Sequence, residues 1–267
     1  MKKIDYYKIC KQKMKYFNYS DNTIKVYLGY INEFLINTNN ISPTRLNSKE
    51  FQSYLDNYNF ISVSQQNQII NAIRFLYKFG LNKKYDKVSF KRPKKEKKLP
   101  RVIDSDEILK SLSTIENLKH KAILTLTFSV GLRVSEVVNL KIEDIDSSRM
   151  IINIKNGKGR KDRIVPLSES VLLLLRKYFL KYKPIEYLFN GQFSNNYSIS
   201  SCQKIYKQLI DNNSSIHTLR HSCFTYLLEN DTNLRTIQSI AGHNSSKTTE
   251  IYTHVSKKLL NKVKLPI

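Results

Sequence analysis

The chain has 267 residues, 40% of them hydrophobic, which is enough for one or two domains with a sizeable buried core. Its 45 Lys and Arg outnumber its 22 Asp and Glu, and the net charge of +23 favours a polyanionic partner, either nucleic acid or an anionic membrane surface. A longest apolar run of five residues excludes a membrane span, and three scattered cysteines exclude a disulfide framework and a zinc motif. We therefore expect a reduced, cytoplasmic protein without a secretory signal.

Hydrophobic residues at helical spacing predict a small helical domain in the first third of the chain. Ile24, Leu28 and Ile31 recur every three or four positions after a capping signal at Asp21. Similar apolar patterns lie between residues 43 and 77, and strand signals are weak throughout. We expect a helical bundle here, with no catalytic residue in it.

A basic segment, residues 91–100, separates this part from the rest of the chain. It contains six basic residues, one acidic residue and two prolines, a composition that disfavours a helix. We interpret it as an extended linker between two domains, although an ordinary solvated loop has the same composition. A linker in this position could lie along a phosphate backbone. The candidate DNA contacts in it are Lys91, Arg92, Lys94, Lys95, Lys97 and Lys98.

The remaining chain combines helices with a predicted β-hairpin. Asp104 and Glu107 have the spacing of a capping box and open one helix, and a more apolar helix ends at Gly131. The β-branched runs at residues 150–154 and 163–167 flank a polar segment with two glycines, which is typical of a hairpin. After the hairpin the pattern is helical again.

Three clusters of polar residues in this second part could carry chemistry. They are Arg133 with Glu136, Lys158 at the predicted hairpin tip, and His217, Arg220, His221, His243 and Tyr252 toward the end of the chain. Taken singly, each has an ordinary interpretation: a surface ion pair, an exposed lysine, a helix end, or one of 17 tyrosines. The spacing of His217 and His221 is that of two metal ligands, but no glutamate lies between them and no third ligand is obvious, so zinc is disfavoured. The sequence contains neither a carboxylate cage for Mg²⁺ nor a P-loop.

Taken together, the clusters suit a phosphodiester. Two arginines can hold the non-bridging oxygens of a phosphate bidentately, and two histidines can donate to the charge that develops on it. A lysine on a hairpin can protonate a leaving oxygen, and a tyrosine hydroxyl can attack phosphorus and hold the cleaved strand covalently. A free tyrosine has a pKa of about 10, and we expect the cationic pocket to favour its phenolate.

These residues and their order resemble the tyrosine recombinases, the family of phage integrases and Xer-type recombinases. The matching segments are Gly131-Leu132-Arg133-Val134-Ser135-Glu136, Gly157-Lys158-Gly159-Arg160-Lys161-Asp162-Arg163 with Pro166, His217-Thr218-Leu219-Arg220-His221, Ala241-Gly242-His243 and Ile251-Tyr252-Thr253-His254. One departure is Ser222-Cys223-Phe224, where the family tends to have Ser-Phe-Ala. We expect Cys223 to be a buried small residue there.

The resemblance implies a mainly α-helical fold with a small β-sheet or hairpin, arranged as a two-domain C-shaped DNA clamp. Its parts are a SAM-like core-binding domain over residues 1–90, the basic linker over 91–100, and a catalytic domain with a C-terminal tail over 101–267. Without an arm-binding domain before Met1, the chain resembles the simple two-domain recombinases more than the arm-site integrases. The tail, residues 253–267, packs on its own domain or docks on a neighbouring protomer, and the sequence does not choose between them.

The resemblance also implies an enzyme that cuts and rejoins DNA without metal or ATP and needs no cofactor. The implied roles are phosphate binding by Arg133 and Arg220, support by His217 and His243, general-acid catalysis by Lys158, nucleophilic attack by Tyr252 to form a 3′-phosphotyrosine, structural support by Glu136, and DNA binding by Arg160 and Lys161. The implied partners are duplex DNA with a specific recombination site and further copies of the chain, as a homo-tetramer on two DNA sites with exchange of C-terminal tails. No membrane partner is expected, and accessory proteins stay open.

Three functions stay open at this point. The first is site-specific recombination, either Xer-like or as a mobile-element integrase or excisionase. The second is DNA relaxation by the same tyrosine chemistry, as in type IB topoisomerases, and the third is catalytically silent DNA binding. The separate helical domain and the tail favour the first over the second, and the complete residue set argues against the third.

Overall fold

The computed structural model describes residues 3–38, 41–42, 45–83, 92–93, 99–155, 162–254 and 256. The chain divides into two compact units, Met1–Lys97 and Lys98–Ile267. Among the described residues, no helix is both long and apolar enough to cross a membrane.

The elements described in the first unit are helices, which confirms the helical character predicted for it. Their bounds are α1 Lys3–Tyr16, α2 Asp21–Asn37, α3 Ser48–Asp56, α4 Val63–Phe75 and a π-helical turn Leu76–Gly80. Apolar residues such as Ile31 and Ile69 are fully buried between them. The cap of α2 is Ser20, one residue before the predicted position, because its Oγ accepts a hydrogen bond from the backbone N–H of Thr23 (3.2 Å).

The second unit is mainly helical and contains a small antiparallel sheet. Its elements are α5 Ser105–Ser113, α6 Leu118–Val130, α7 Val134–Val138, a 3₁₀ turn Ile142–Asp144, β1 Ile145–Asp146, β2 Ile151–Ile154, β3 Arg163–Pro166, α8 Glu169–Tyr182, α9 Ile199–Leu209, α10 His217–Glu229, α11 Leu234–Ala241 and α12 Ser246–Glu250. Asp104 caps α5 as predicted, although its carboxylate accepts from the N–H of Asp106, two residues on, and not three.

The centre of this unit is α6, which packs against α8 and α10 and buries seven residues: Ala122, Ile123, Leu124, Leu126, Thr127, Phe128 and Val130. The helix ends at Gly131, as predicted, in the left-handed conformation (φ +62°). A Cβ at this position would lie 2.6 Å from Cζ of Phe224 on α10. Glycine therefore allows both the turn and the close approach of α10 at the point where the chain leads into Arg133.

The sheet has the strand order β1-β2-β3, and the pairing of β2 with β3 confirms the two strands predicted for the hairpin. Ile154 at the end of β2 pairs with Arg163 at the start of β3. The strand β1 was not predicted, because its two residues are too short to show the alternation of a half-buried strand.

Candidate active site

Arg220 on α10 is the buried centre of the site, with 1% of its surface exposed. Its Nη1 donates to the carbonyl oxygen of Gly131 after α6, and its Nη2 donates to that of Ala241 (2.6 Å), the last residue of α11. Carbonyl groups at a helix C-terminus lack partners within the helix and carry partial negative charge, so they compensate a buried cation. Burial is the main cause that lowers the pKa of Arg220 to about 10, with repulsion from Arg133 next, which still leaves the guanidinium charged at neutral pH.

Arg133 stands at the N-terminus of α7 and is fixed by Glu136, three residues on. The carboxylate of Glu136 accepts from the backbone N–H of Arg133 (2.8 Å) and from its Nη1 (2.9 Å). It also accepts from both Nη1 and Nη2 of Arg163 on β3, each at 2.8 Å. Burial would raise the pKa of Glu136, but the hydrogen bonds from Arg163 and Arg133 lower it to about 2, so the carboxylate is ionised.

His243 follows the end of α11 and binds Arg220 with one ring nitrogen and Thr249 with the other. Its Nε2 lies 3.2 Å from Nη2 of Arg220, and its Nδ1 lies 3.0 Å from Oγ1 of Thr249. A guanidinium can only donate, so Nε2 accepts and Nδ1 carries the proton. Burial and then the charge of Arg220 lower the pKa of His243 to about 4, which makes the neutral ring the form present at pH 7.

Tyr252, in the turn after α12, is buried, with 1% of its surface exposed. Its hydroxyl oxygen lies 3.2 Å from Nδ1 of His221, and its ring packs near that of Phe224. Burial raises the pKa of Tyr252 to about 12 against the opposing influence of Arg220 and Arg133. The prediction that the cationic pocket favours the phenolate is wrong for this conformation, because desolvation outweighs the two guanidiniums.

An open pocket of about 470 Å³ lies beside these residues. Its lining consists of Arg133, Asp162, Arg163, Arg235, Gln238, Ser239, Gly242, His243 and Asn244. The three arginines in this lining outnumber its one carboxylate, so the pocket carries an excess of positive charge that suits an anion such as a phosphate. Within the described ranges there is no group of three or more His, Cys, Asp and Glu side chains arranged to hold a metal ion.

The structure brings together most of the residues predicted for the site in this unit. Arg133 contacts Glu136, Arg220 contacts His243, and Arg220 interacts electrostatically with both Arg133 and Tyr252. His217 is exposed on the first turn of α10, with its ring 4.8 Å from that of His221. Cys223 is buried, as predicted for its position next to the site.

The remaining candidates divide into two kinds. Arg92 is described, and its Nη1 and Nη2 donate to the side-chain oxygens of Asn67 (3.2 Å) and Asn71 (2.7 Å) on α4. Eight further candidates lie outside the described residues: Lys91, Lys94, Lys95, Lys97, Lys98, Lys158, Arg160 and Lys161.

Sequence reasoning gave no role to three residues that the structure places in the site. Arg163 binds Glu136, His221 contacts Tyr252, and Thr249 contacts His243. Arg163 and His221 lie within the motifs that match the family, so the sequence points to these two residues but not to the residues that they contact. Thr249 carries no signal in the sequence, because its contact depends on how α12 folds back onto α11.

Comparison with known proteins covers both units. Residues 101–258 match the profile of the phage integrase family, and residues 7–87 match that of the phage integrase N-terminal SAM-like domain. Tyrosine recombinase XerA of Pyrococcus horikoshii is 35% identical over 249 residues, which cover 90% of this chain and 86% of that protein. Tyrosine recombinase XerD of Staphylococcus epidermidis is 32% identical over 284 residues, which cover 90% of this chain and 96% of that protein.

Two solved structures show the same fold. The crystal structure of XerA recombinase matches with a TM-score of 0.56 at 28% identity, over 98% of this chain and 97% of that one. The XerH site-specific recombinase, in a post-cleavage complex with a palindromic difH substrate, matches with a TM-score of 0.75 at 22% identity. That match covers 98% of this chain and 83% of XerH.

Proposed function

Because the chain belongs to the phage integrase family, it is a tyrosine recombinase that cleaves and rejoins DNA, and we propose that Tyr252 is its nucleophile. The observation that carries the proposal is the position of Arg220. It joins the carbonyl of Gly131, two residues before Arg133, to that of Ala241, two residues before His243. Residues far apart in sequence are thereby held around one guanidinium, next to the buried tyrosine.

Arg133 and Arg220 bind the non-bridging oxygens of the scissile phosphate. A guanidinium has five N–H groups, and the contacts of Arg220 with Gly131, Ala241 and His243 use three of them. The contacts of the described residues leave two for a phosphate oxygen, and because Arg220 is only 1% exposed, these two become accessible when Tyr252 leaves its buried position. The rigid planar fork places these donors before substrate arrives, so little reorganisation is needed when charge develops on the phosphoryl group.

His217 and His243 support the same phosphate. His243 accepts from Arg220 through Nε2 in this conformation, so donation to a phosphate oxygen from that atom requires the proton to move from Nδ1 to Nε2. His217 lies at the exposed N-terminal turn of α10, where backbone N–H groups and the helix dipole also favour an anion.

The proposed reaction exchanges one phosphate ester bond for another and needs no external energy source. The Tyr252 oxygen forms a bond to phosphorus while the bond from phosphorus to the 5′ oxygen breaks. The phenolic proton passes to solvent water, and Lys158 gives a proton to the departing 5′ oxygen. Attack by a 5′ hydroxyl on the 3′-phosphotyrosine reverses these changes and rejoins a strand.

Cleavage requires Tyr252 to leave its resting position. At 1% exposure the hydroxyl cannot reach a phosphate bound outside the protein. Movement out of its buried position removes the desolvation that raises its pKa and leaves the attraction of Arg220 and Arg133 in place. The same movement therefore brings the nucleophile to phosphorus and favours its ionisation.

A nicked half-site that loses its short 5′ fragment after cleavage tests the nucleophile. Wild-type protein should accumulate a covalent adduct with DNA, and Tyr252→Phe should bind the same DNA without forming it. Tyr226→Phe, on an exposed tyrosine of α10, is the matched control and should react like wild type. An adduct of equal yield in Tyr252→Phe would show that another residue attacks.

The leaving-group role of Lys158 has its own test. Lys158→Ala should slow cleavage of ordinary DNA by on the order of 100-fold or more. A substrate with sulfur in place of the 5′ oxygen has a better leaving group and should largely escape this loss. An equal defect on both substrates would argue against proton donation by Lys158.

The first unit binds DNA as a core-binding domain, and the assembled enzyme is a homo-tetramer on two specific duplex sites, with C-terminal tails exchanged between protomers. The basic residues of the linker and the hairpin hold the duplex by its phosphates. Because the substrate is DNA, we place the enzyme in the cytoplasm.

Recombination between two duplex sites, measured beside relaxation of a supercoiled plasmid that lacks a site, distinguishes this function from that of a type IB topoisomerase. Relaxation alone would favour the topoisomerase.

A further inference from the structure

Arg163 connects three separate elements around the site. It is the first residue of β3, and 9% of its side chain is exposed. Its Nη1 and Nη2 each donate to the Glu136 carboxylate at 2.8 Å, and its Nε donates to the carbonyl oxygen of Ile240 at 2.7 Å. One guanidinium thus connects β3, the start of α7 and the end of α11.

The contact with Glu136 determines how Arg133 is held. Each carboxylate oxygen of Glu136 accepts from both arginines: Oε1 from Nη1 of each, and Oε2 from Nη2 of Arg163 and the backbone N–H of Arg133. The carboxylate is 5% exposed, so it cannot exchange these donors for water without cost. The paired bonds from Arg163 fix the plane of the carboxylate, and that plane directs Nη1 of Arg133.

The contact with Ile240 places Arg163 against the turn that leads into His243. Ile240 and Ala241 are consecutive residues, and their carbonyls accept from Arg163 and Arg220 respectively. The chain then turns at Gly242 (φ +61°) into His243. A Cβ on Gly242 would lie 2.9 Å from Cδ of Arg163, so the side chain of Arg163 packs directly on this turn.

Arg163 is also the first residue of β3, which follows the segment that contains Lys158 in the sequence. Its backbone pairs with Ile154 across β2 and β3, and the chain between these strands contains the lysine. A shift of Arg163 relative to Glu136 therefore shifts the point at which that segment returns to the sheet.

We propose that Arg163 is a positioning residue for DNA cleavage, which holds Arg133, the turn into His243 and the start of β3, next to the Lys158 segment, in one arrangement. The inference rests on the proposed function, because it is the phosphate chemistry of these three residues that Arg163 serves. Lysine cannot replace it, since a single ammonium group cannot make the paired bonds to Glu136 and the bond to Ile240 in fixed directions.

Arg163→Lys tests the proposal, with Arg149→Lys as control on an exposed arginine in the same unit. The measurements are the single-turnover cleavage rate at saturating half-site DNA and the DNA concentration that gives half the maximal rate. Because a small misplacement of catalytic groups is costly, Arg163→Lys should slow cleavage by on the order of 100-fold. Its half-saturating concentration should stay within about threefold of wild type, because most of the binding comes from other phosphate contacts.

A purely structural role would give a different result. Arg163→Lys would then unfold at lower temperature, yet its folded fraction would cleave at the wild-type rate below that temperature. Such a rate, or a defect confined to the half-saturating concentration, would overturn the inference. Failure of the wild-type protein to form a Tyr252 adduct would instead refute the proposed function on which it rests.

A double-mutant cycle gives an independent measurement. If Arg163 acts through Glu136, Glu136→Gln and Arg163→Lys should be non-additive, with the double variant cleaving hardly more slowly than the slower single variant. Rate losses that multiply would show that the two residues act separately and would overturn the inference.

Discussion

Glu136 provides the sharpest test of the energetics of the site. It is one buried negative charge between the guanidiniums of Arg133 and Arg163, with four hydrogen bonds to its two oxygens. These contacts lower its pKa from an ordinary 4.5 to about 2. One pKa unit corresponds to about 1.4 kcal/mol, so the folded protein favours the ionised carboxylate by about 3 kcal/mol.

Glu136→Gln keeps the shape of the side chain and removes its charge. At pH 7 it should lower the free energy of unfolding of the second unit by about 3 kcal/mol, within the range for breaking a buried ion pair. Urea unfolding followed by circular dichroism measures this loss. Glu143→Gln is the control, because Glu143 pairs with Lys155 at 3.0 Å on the surface and such pairs contribute at most about 1 kcal/mol.

The dependence on pH supplies the decisive comparison. A carboxyl group whose pKa is lowered by folding stabilises the protein above its unfolded pKa, and this stabilisation is lost as pH falls through 4.5 toward 2. The difference between wild type and Glu136→Gln should therefore narrow over that interval. A loss below about 1 kcal/mol at pH 7, or a difference that stays constant with pH, would refute the assignment of the charge.

Gly242→Ala should cost about 1–2 kcal/mol and slow cleavage, because φ is +61° and the new Cβ would displace Arg163; Gly29→Ala, with open space around it, should cost nothing measurable in a thermal melt. His221 and His243 have pKa values lowered to about 4 in the folded protein, so on acidification these histidines are protonated at a higher pH in the unfolded chain than in the folded one. The free energy of unfolding should therefore fall as the pH drops from 6.5 to 4. His221→Phe should make that decline shallower in urea titrations, and an unchanged slope would contradict the burial of a neutral ring. DNA affinity should fall with salt at a log–log slope of about −0.9 per phosphate contacted, so a salt-independent constant would contradict backbone binding.

Local sequence signals predicted the parts of this fold that depend on neighbouring residues. The stop of α6 at Gly131 depends on one residue that tolerates a left-handed turn, and the strands β2 and β3 depend on β-branched runs around glycines. Candidate residues for the site could be selected as well, because arginines, histidines and a tyrosine together suit the chemistry of a phosphodiester. Arg133, Arg220 and His243 could therefore be predicted as site residues from the sequence alone.

Contacts between distant segments could not be predicted in the same way. No pattern shows that Arg163 reaches the carbonyl of Ile240, which is 77 positions away. The ionisation of Tyr252 was predicted wrongly because its charged neighbours are visible in the sequence, whereas the depth of its burial depends on α10 and α12 together. Desolvation is a property of the packed structure, and here it outweighs the pairwise charges.

Arg220 has a consequence for how this protein can change in evolution. The side chain that would bind the phosphate also ties the ends of α6 and α11 together, so its loss removes activity and weakens the packing of the unit at once. Among the described residues, the Tyr252 hydroxyl makes one hydrogen bond, to His221, and joins no two helix ends in this way. A descendant that gave up cleavage but kept the fold for DNA binding is therefore expected to retain the arginine and vary at the tyrosine.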